Sequence, residues 1–400
     1  MKYTVLEKYF HFKSFQGNQE EIIDSILSGK DTIAILKTGG GKSLCFQIPA
    51  LIFQGLTIVI SPLISLMIDQ VTNLKKRKIK AACINASTES YESKNILRNL
   101  KDYKLLYISP ERLENNEFIK AIKNVEISFI AIDECHCLEW GNDFRRSYLK
   151  IKPFIKTIPT KCVVAAFTAT ATLNVIDDIK SKLGLENAQI FTSSIYKENL
   201  FYSVICVSNK LKLLKKYLDK QETTIIYCLT IKEVEKLYKD LSLKYSVTIY
   251  HGKLQSNIKL HNQKMFMNDE KKIIIATNAF GMGIDKKDVR LVINYQMPQT
   301  LKDFMQTTGR CSRDGKKGEC VLFYHPKDVE IVRYFANNIS EDTPRKEARK
   351  IINGRLREMK EMVRFCKSKS CLHKQAALYF NETIPPCKQN CSNCIKKIRL

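Results

Sequence analysis

Three groups of residues in this 400-residue chain have types and spacing suited to chemistry. Thr38-Gly39-Gly40-Gly41-Lys42-Ser43 follows the apolar run Thr32–Leu36 and precedes a helix-like segment from Leu44. Glycines there let the backbone curl so that several N–H groups converge, and a helix start adds partial positive charge. In that context Lys42 reaches β- and γ-phosphates and the Ser43 hydroxyl ligates Mg²⁺, so a nucleotide's phosphates and Mg²⁺ are the expected ligands. The second group, Asp133-Glu134-Cys135-His136, ends the buried run Phe129–Ile132. Adjacent carboxylates at a strand end are costly without a partner. Coupled to the glycine loop, Asp133 is expected to hold Mg²⁺ and Glu134 to orient and deprotonate a water. Cys135, His136 and Cys137 are too close together for a tetrahedral metal site, so His136 reads as a polar relay and the cysteines as packing. The third group is Cys371, Cys387, Cys391 and Cys394. Cys387-x₃-Cys391-x₂-Cys394, with Cys371 sixteen residues before Cys387, has the spacing of a structural Zn²⁺ site with no open position.

The elements that must carry these groups are short β-rich runs alternating with helix-like segments. Thr32–Leu36, Leu56–Ile60, Lys104–Ile108, Phe129–Ile132 and Val163–Phe167 read as strands buried on both faces of a parallel sheet. The pattern resumes at Thr224–Tyr227, Ser246–Tyr250, Lys272–Ala276 and Leu291–Asn294. Two α/β domains in tandem are therefore expected, with Thr192 to Leu200 as the linker. Strands stop after about residue 335, and Glu341 to Lys374 is helix-like and basic. Residues 331–400 hold 16 Lys+Arg against 6 Asp+Glu.

Composition bounds the function classes. The chain is 44% hydrophobic and 27% charged, which excludes a disordered or collagenous protein. Its net charge of +25 favours polyanionic partners, nucleic acid first. Ten of the fourteen cysteines are scattered with no repeated spacing, most of them in apolar segments, as buried free thiols in a reducing compartment are. Met1 to Phe15 has no apolar run, and the most apolar stretch, Pro49 to Met67, is broken by Gln54-Gly55 and Ser61-Pro62. A span needs about 20 unbroken apolar residues. A cytoplasmic protein, nucleoid-associated if prokaryotic, is expected.

The order of these motifs resembles superfamily 2 helicases, and specifically the RecQ family, over nearly the whole chain. The resemblance implies two tandem RecA-like parallel-sheet domains, 1–200 and 201–335, and a small helical zinc-binding module, 336–400. It implies a short form without the winged helix and further helical domain of larger relatives. The segment Phe10 to Phe15 with Gln19 is similar to the family's adenine-reading segment, so Phe12 would stack on adenine and Gln19 bond its edge. Gln16 stands where the family usually has Arg, and Lys37 where it has Pro. Ser61-Pro62-Leu63 and Ser109-Pro110-Glu111-Arg112 resemble loops that grip DNA phosphates through Ser61, Ser109 and Arg112. Phe167 to Thr172 resembles the motif that couples the nucleotide and DNA sites, with Thr170 on the DNA side. His136 to Arg145 resembles the aromatic-rich loop, in which Trp140, Phe144 and Arg145 would contact DNA. That loop is one residue shorter between His136 and Trp140, and Asn142 replaces the usual His, which implies altered coupling.

In the second domain Thr277 within Ile275–Asp285 would touch DNA and Asp285 the nucleotide. His251 in Tyr250-His251-Gly252 would grip the DNA backbone. Gln306-Thr307-Thr308-Gly309-Arg310-Cys311-Ser312-Arg313 resembles the family's arginine motif, placing Gln306, Arg310 and Arg313 in the catalytic set. Arg313 would be the finger that stabilises the transition state and Arg310 the γ-phosphate sensor. The family more often has Glu, Ala and Gly at Thr307, Cys311 and Ser312. Cys371 to Glu382 looks like the RecQ zinc module, with Leu372-His373 in place of two Arg and with Cys366 and His373 outside the ligand shell. The expected function is an ATP-dependent 3′→5′ DNA helicase acting on single-stranded and 3′-tailed DNA in recombination or repair. The alternatives are a non-unwinding ATP-gated DNA-binding or annealing protein, and an RNA-dependent ATPase of the same superfamily.

Overall fold

A computed structural model describes the chain apart from residues 86–87, 140–141, 160–161, 281–285, 340–342 and 399–400; for 139, 142–145 and 397–398 it describes the backbone only. The chain divides into two units, Met1–Ile195 and Tyr196–Leu400.

The first unit is built on seven strands: β1 Thr32–Ile35, β2 Leu56–Ile60, β3 Ala81–Ile84, β4 Leu105–Ile108, β5 Ile127–Ile132, β6 Val163–Thr168 and β7 Gln189–Thr192. They form one sheet in the order β3-β4-β2-β5-β6-β1-β7, with every neighbouring pair parallel. Parallel neighbours need crossovers, and the helices that provide them cover both faces. Side chains alternate accordingly. Ile33 and Ile35 enter one core cluster and Ala34 and Leu36 the other. Each fully buried aliphatic side chain contributes roughly 1.5–3 kcal/mol.

This order puts the ends of β1, β6 and β5 side by side, followed by those of β2, β4 and β3. Loops leaving the carboxyl ends of parallel strands share one rim, where such sheets bind ligands. The glycine loop leaves β1, Thr168 ends β6, Asp133 follows β5, Ser61 follows β2 and Ser109 follows β4. The helix Lys42–Ile52 is fixed on the sheet by Phe46, which meets Phe167 of β6 edge-on at 5.3 Å.

The second unit has six strands: β8 Leu200–Cys206, β9 Thr224–Tyr227, β10 Val247–Tyr250, β11 Ile273–Ala276, β12 Leu291–Asn294 and β13 Gly318–Tyr324. Their order is β10-β11-β9-β12-β13-β8, all parallel. Helices Pro326–Asn337, Arg345–Lys367, Leu372–Tyr379 and Ser392–Ile398 complete it. The single helix-like stretch expected from Glu341 to Lys374 is two helices. It breaks at Ser368–Ser370, where Asn393 Nδ2 donates to the carbonyls of Ser368 and Ser370 at 2.8 Å each. Four strands, β3, β7, β8 and β13, lie outside the runs expected from sequence. Among the described residues no helix is long and apolar enough to cross a membrane.

Candidate functional site

The glycine loop turns through two left-handed residues, Gly39 at φ +82° and Gly41 at φ +73°, and Lys42 opens the helix with no side-chain cap. Glycine is required by space as well as by torsion. A Cβ on Gly40 would lie 2.8 Å from the Lys37 carbonyl oxygen, and one on Gly41 2.1 Å from Gln19 Nε2. Gln19 is buried and braces the loop. Its Nε2 donates to the carbonyls of Gly40 at 3.1 Å and Gly41 at 3.4 Å, and its Oε1 accepts from Gln16 N at 2.9 Å. Phe12 is 46% exposed and follows His11, itself left-handed at φ +59°.

Lys42 Nζ donates to Glu134 Oε1 at 2.9 Å and stands 3.8 Å from Asp133 Oδ1. Burial works against the Lys42 charge, but the two carboxylates outweigh it and its pKa is raised. Burial pushes Asp133 up to about 6, with Glu134 adding to the effect and Lys42 opposing it. One ammonium facing two carboxylates leaves the pocket with surplus negative charge, the condition for taking a cation. Glu134 adopts φ +49°, left-handed for a non-glycine residue, a kind of strain that gathers at functional sites. Its amide donates back to Asp133 Oδ1 at 2.9 Å. The buried Tyr148 hydroxyl donates to the Asp133 carbonyl at 2.7 Å, a support that no local motif announced.

His136 stands between Glu134 and the end of β6. Its Nδ1 lies 3.0 Å from Thr168 Oγ1 and 3.3 Å from Glu134 Oε2, and Thr168 Oγ1 donates to the Thr170 carbonyl at 3.2 Å. Cys135 and Cys137 are buried, and burial raises both thiols above the ordinary range. Farther along the rim, Ser61 and Ser109 place buried hydroxyls that have no hydrogen-bond partner among the described residues. Arg112 donates to the Asn85 carbonyl at 2.8 Å. Trp140 lies outside the described residues, and Phe144 and Arg145 fall where only backbone is described, in the helix Asn142–Leu149.

The second unit carries Gln306 on the helix Leu301–Thr308, and Arg310 and Arg313 in the turn after it. Arg310 and Arg313 act on the buried Tyr227 hydroxyl: burial raises its pKa and both arginines oppose the rise. That hydroxyl donates to the Phe280 carbonyl at 2.9 Å. Thr277 follows β11, with its amide on the Tyr250 carbonyl at 3.2 Å. His251 is buried, its Nε2 3.7 Å from Glu235 Oε1. Asp285 lies outside the described residues.

Cys371, Cys387, Cys391 and Cys394 place their sulfurs within 4.8 Å of one another, and they alone make up this group among the described residues. Cys387 Sγ is 3.8 Å from Cys394 Sγ. A tetrahedron of Zn–S bonds near 2.3 Å has edges of about 3.8 Å, so the donor set fits Zn²⁺. Burial would raise Cys371, but the N–H groups of Cys387 and Lys374 aimed at its sulfur hold it below the ordinary thiol value. His373 is engaged elsewhere. Its ring stacks on Tyr202 at 4.1 Å, and Nε2 lies 3.1 Å from the Leu200 carbonyl and 3.0 Å from the Asn390 carbonyl. Tyr202 N donates to the Asn390 carbonyl at 3.0 Å, and Tyr202 bridges Cys391. The cysteine module thus closes the outer edge of β8, an edge that would otherwise offer unpaired backbone groups.

Known proteins resemble this chain. Residues 16–179 match the DEAD/DEAH box helicase model, 209–315 the helicase conserved C-terminal domain and 326–395 the RecQ zinc-binding domain. The chain is 38% identical over 398 residues to the ATP-dependent DNA helicase RecQ of Bacillus subtilis, covering 98% of this chain and 66% of that one. It is 37% identical to the RecQ helicase of Pasteurella multocida, covering 98% and 62%. It therefore spans about two thirds of the length of these curated relatives. Solved structures share the fold. Saccharomyces cerevisiae Dbp5 bound to RNA and ADP BeF3 aligns with TM-score 0.69 at 20% identity, covering 89% of this chain and 97% of that one. Mycobacterium smegmatis Lhr bound to ssDNA and AMP-PNP aligns with TM-score 0.65 at 16% identity, covering 82% and 48%. Two parallel-sheet RecA-like units, a four-cysteine module and three consecutive matching family models lead to one assignment: this chain belongs to the RecQ family of helicases.

Proposed function

We propose that this protein hydrolyses ATP to drive 3′→5′ movement along single-stranded DNA and so separates duplex strands. The observation that carries the reading is the Lys42 ammonium held against Glu134 and Asp133 beneath an uncapped glycine-loop helix start. In this reading Lys42 exchanges its carboxylate partners for β- and γ-phosphate oxygens. Glu134, released from that ion pair, orients the attacking water and accepts its proton. Ser43 and Asp133 would hold Mg²⁺, which neutralises phosphate charge. Gln19 holds the loop and reads the base edge, with Phe12 stacked on the base. Arg313 is read as stabilising charge on a transferred phosphoryl group and Arg310 as sensing a γ-phosphate, with Gln306 and Asp285 in the same proposed set.

His136 gives the carboxylate a path to the strand end. A change at Glu134 is felt at Thr168 and through it at Thr170, on the DNA side. Ser61, Ser109, Arg112, Thr277 and His251 grip phosphates without reading sequence, and Trp140, Phe144 and Arg145 contact the unpaired strand. The four thiolates would hold Zn²⁺, which cross-links the C-terminal module. The same reading includes a role in DNA recombination or repair, in the cytoplasm or nucleoid.

ATP turnover measured with oligo(dT), with an RNA oligonucleotide and with neither tests the reading. Stimulation of at least tenfold by DNA, with little by RNA, is the expected result. Stimulation by RNA alone would favour an RNA-dependent ATPase.

A further inference from the structure

The arginine turn contains a residue whose backbone disfavours its side chain. Ser312 has φ +45°. An L-residue is strained there, and its surroundings must hold it in place. A single guanidinium supplies much of that hold. Arg290 Nη1 donates to Ser312 Oγ at 3.0 Å and to Asp314 Oδ1 at 2.9 Å, and Nη2 donates to Asp314 Oδ2. The two residues flanking Arg313 are thus clasped by one planar side chain. The backbone repeats the grip. Ser312 N donates to the Val289 carbonyl at 2.8 Å and Asp314 N to the Lys287 carbonyl at 3.2 Å. Asn199 Nδ2 donates to the carbonyls of Ser312 at 3.0 Å and Lys316 at 2.8 Å. Little space is left: a Cβ on Gly318 would fall 2.3 Å from Ser312 Oγ and 2.5 Å from Cys311 Sγ.

We infer that Arg290 is the positioning residue for Arg313, fixing the left-handed kink at Ser312 so that the Arg313 guanidinium is presented in one orientation. The inference rests on Arg313 as the transition-state arginine. A catalytic group displaced by about 1 Å can lose roughly 10²-fold in rate. Lysine at 290 would keep the charge but lose the planar fork that makes parallel bonds to Asp314 and a third to Ser312.

The test is steady-state ATP hydrolysis by the full chain with saturating oligo(dT), alongside thermal unfolding. Arg290→Lys and Asp314→Asn are expected to lower kcat by about 10- to 100-fold with KM for ATP within about twofold. Ser312→Gly, free to adopt the kink unaided, is expected to stay within about twofold of wild type. Combined with Arg290→Lys, it should restore kcat to within about threefold. A merely structural role would move KM and the unfolding temperature and would not be relieved by glycine. If Arg290→Lys unfolds, Asp314→Asn alone decides. The inference is overturned if the folded variants turn over at wild-type kcat, or if glycine at 312 relieves nothing. Arg313→Ala is the control, expected to lose about 10³-fold or more. Wild-type turnover in that variant would remove the underlying reading of Arg313, an outcome distinct from failure of Arg290 alone.

Discussion

Lys42 and Glu134, 92 positions apart in the chain, meet at 2.9 Å through Nζ and Oε1. The pair joins the glycine loop to the end of β5, and it exists because β1, β6 and β5 are consecutive in the sheet. An ammonium already held by a carboxylate is available to phosphate oxygens by exchange. Glu134→Gln should therefore leave ATP binding nearly intact while lowering kcat by at least about 10²-fold. Equilibrium binding of a fluorescent ATP analogue beside steady-state turnover separates the two effects. A parallel loss of binding and rate would contradict the role given to Glu134.

Asp133 carries a pH signature. Burial raises its pKa to about 6 in the folded protein, above the unfolded value near 3.9. Between these values the folded state binds more protons, so this group's contribution to stability falls as pH rises through about 6. Asp133→Asn removes the penalty of the buried charge. Without Mg²⁺ and nucleotide, the variant should unfold at a higher temperature than wild type at pH 7. The gap should narrow as pH falls toward 4.5. Thermal unfolding of both proteins across that range checks it, and a gap independent of pH would count against a buried, charge-averse Asp133.

Zinc removal should act on the second unit and spare the first. The protein should contain one zinc per chain, and Cys391→Ser should lose it. The unfolding temperature of the second unit should drop by on the order of 10 °C, since metal binding in such sites is folding free energy. His373→Phe should keep one zinc per chain while costing about 1–3 kcal/mol, because the carbonyls of Leu200 and Asn390 lose their shared donor. Metal analysis of the purified variants decides whether His373 lies outside the ligand shell.

Ser61 and Ser109 bury hydroxyls with no partner among the described residues. Such a group costs about 1–3 kcal/mol to desolvate. Ser61→Ala and Ser109→Ala should thus leave the free protein as stable as wild type or slightly more so. Affinity for single-stranded DNA should fall by about 3- to 30-fold, from loss of a phosphate contact. Destabilisation with unchanged DNA affinity would show that these hydroxyls serve the core instead.

Sequence pattern reached the parts of this protein whose signal is local. The runs from Thr32, Leu56, Phe129 and Val163 are apolar because both sheet faces are covered, and they became strands. Gln189–Thr192 was missed because β7 is an exposed edge strand, so hydrophobic pressure is absent. Ala81–Ile84 was missed because two alanines carry little strand signal. Leu200–Cys206 begins inside the expected linker, and its pairing with β13 spans more than a hundred residues. The glycine loop and the cysteine spacing were legible for the same local reason. Tyr148 beneath Asp133, His136 against Thr168, and Arg290 clasping Ser312 and Asp314 were not. Each is a contact made by chain crossing, with no periodicity to reveal it.

The central claim is that this site drives strand separation. The most direct measurement is unwinding of a partial duplex carrying a single-stranded 3′ tail, followed with and without ATP and with Lys42→Ala. ATP-dependent release of the shorter strand is expected, with none from a 5′-tailed or blunt duplex and none by Lys42→Ala. Release by Lys42→Ala at the wild-type rate, or DNA-stimulated hydrolysis with no strand released, would contradict it.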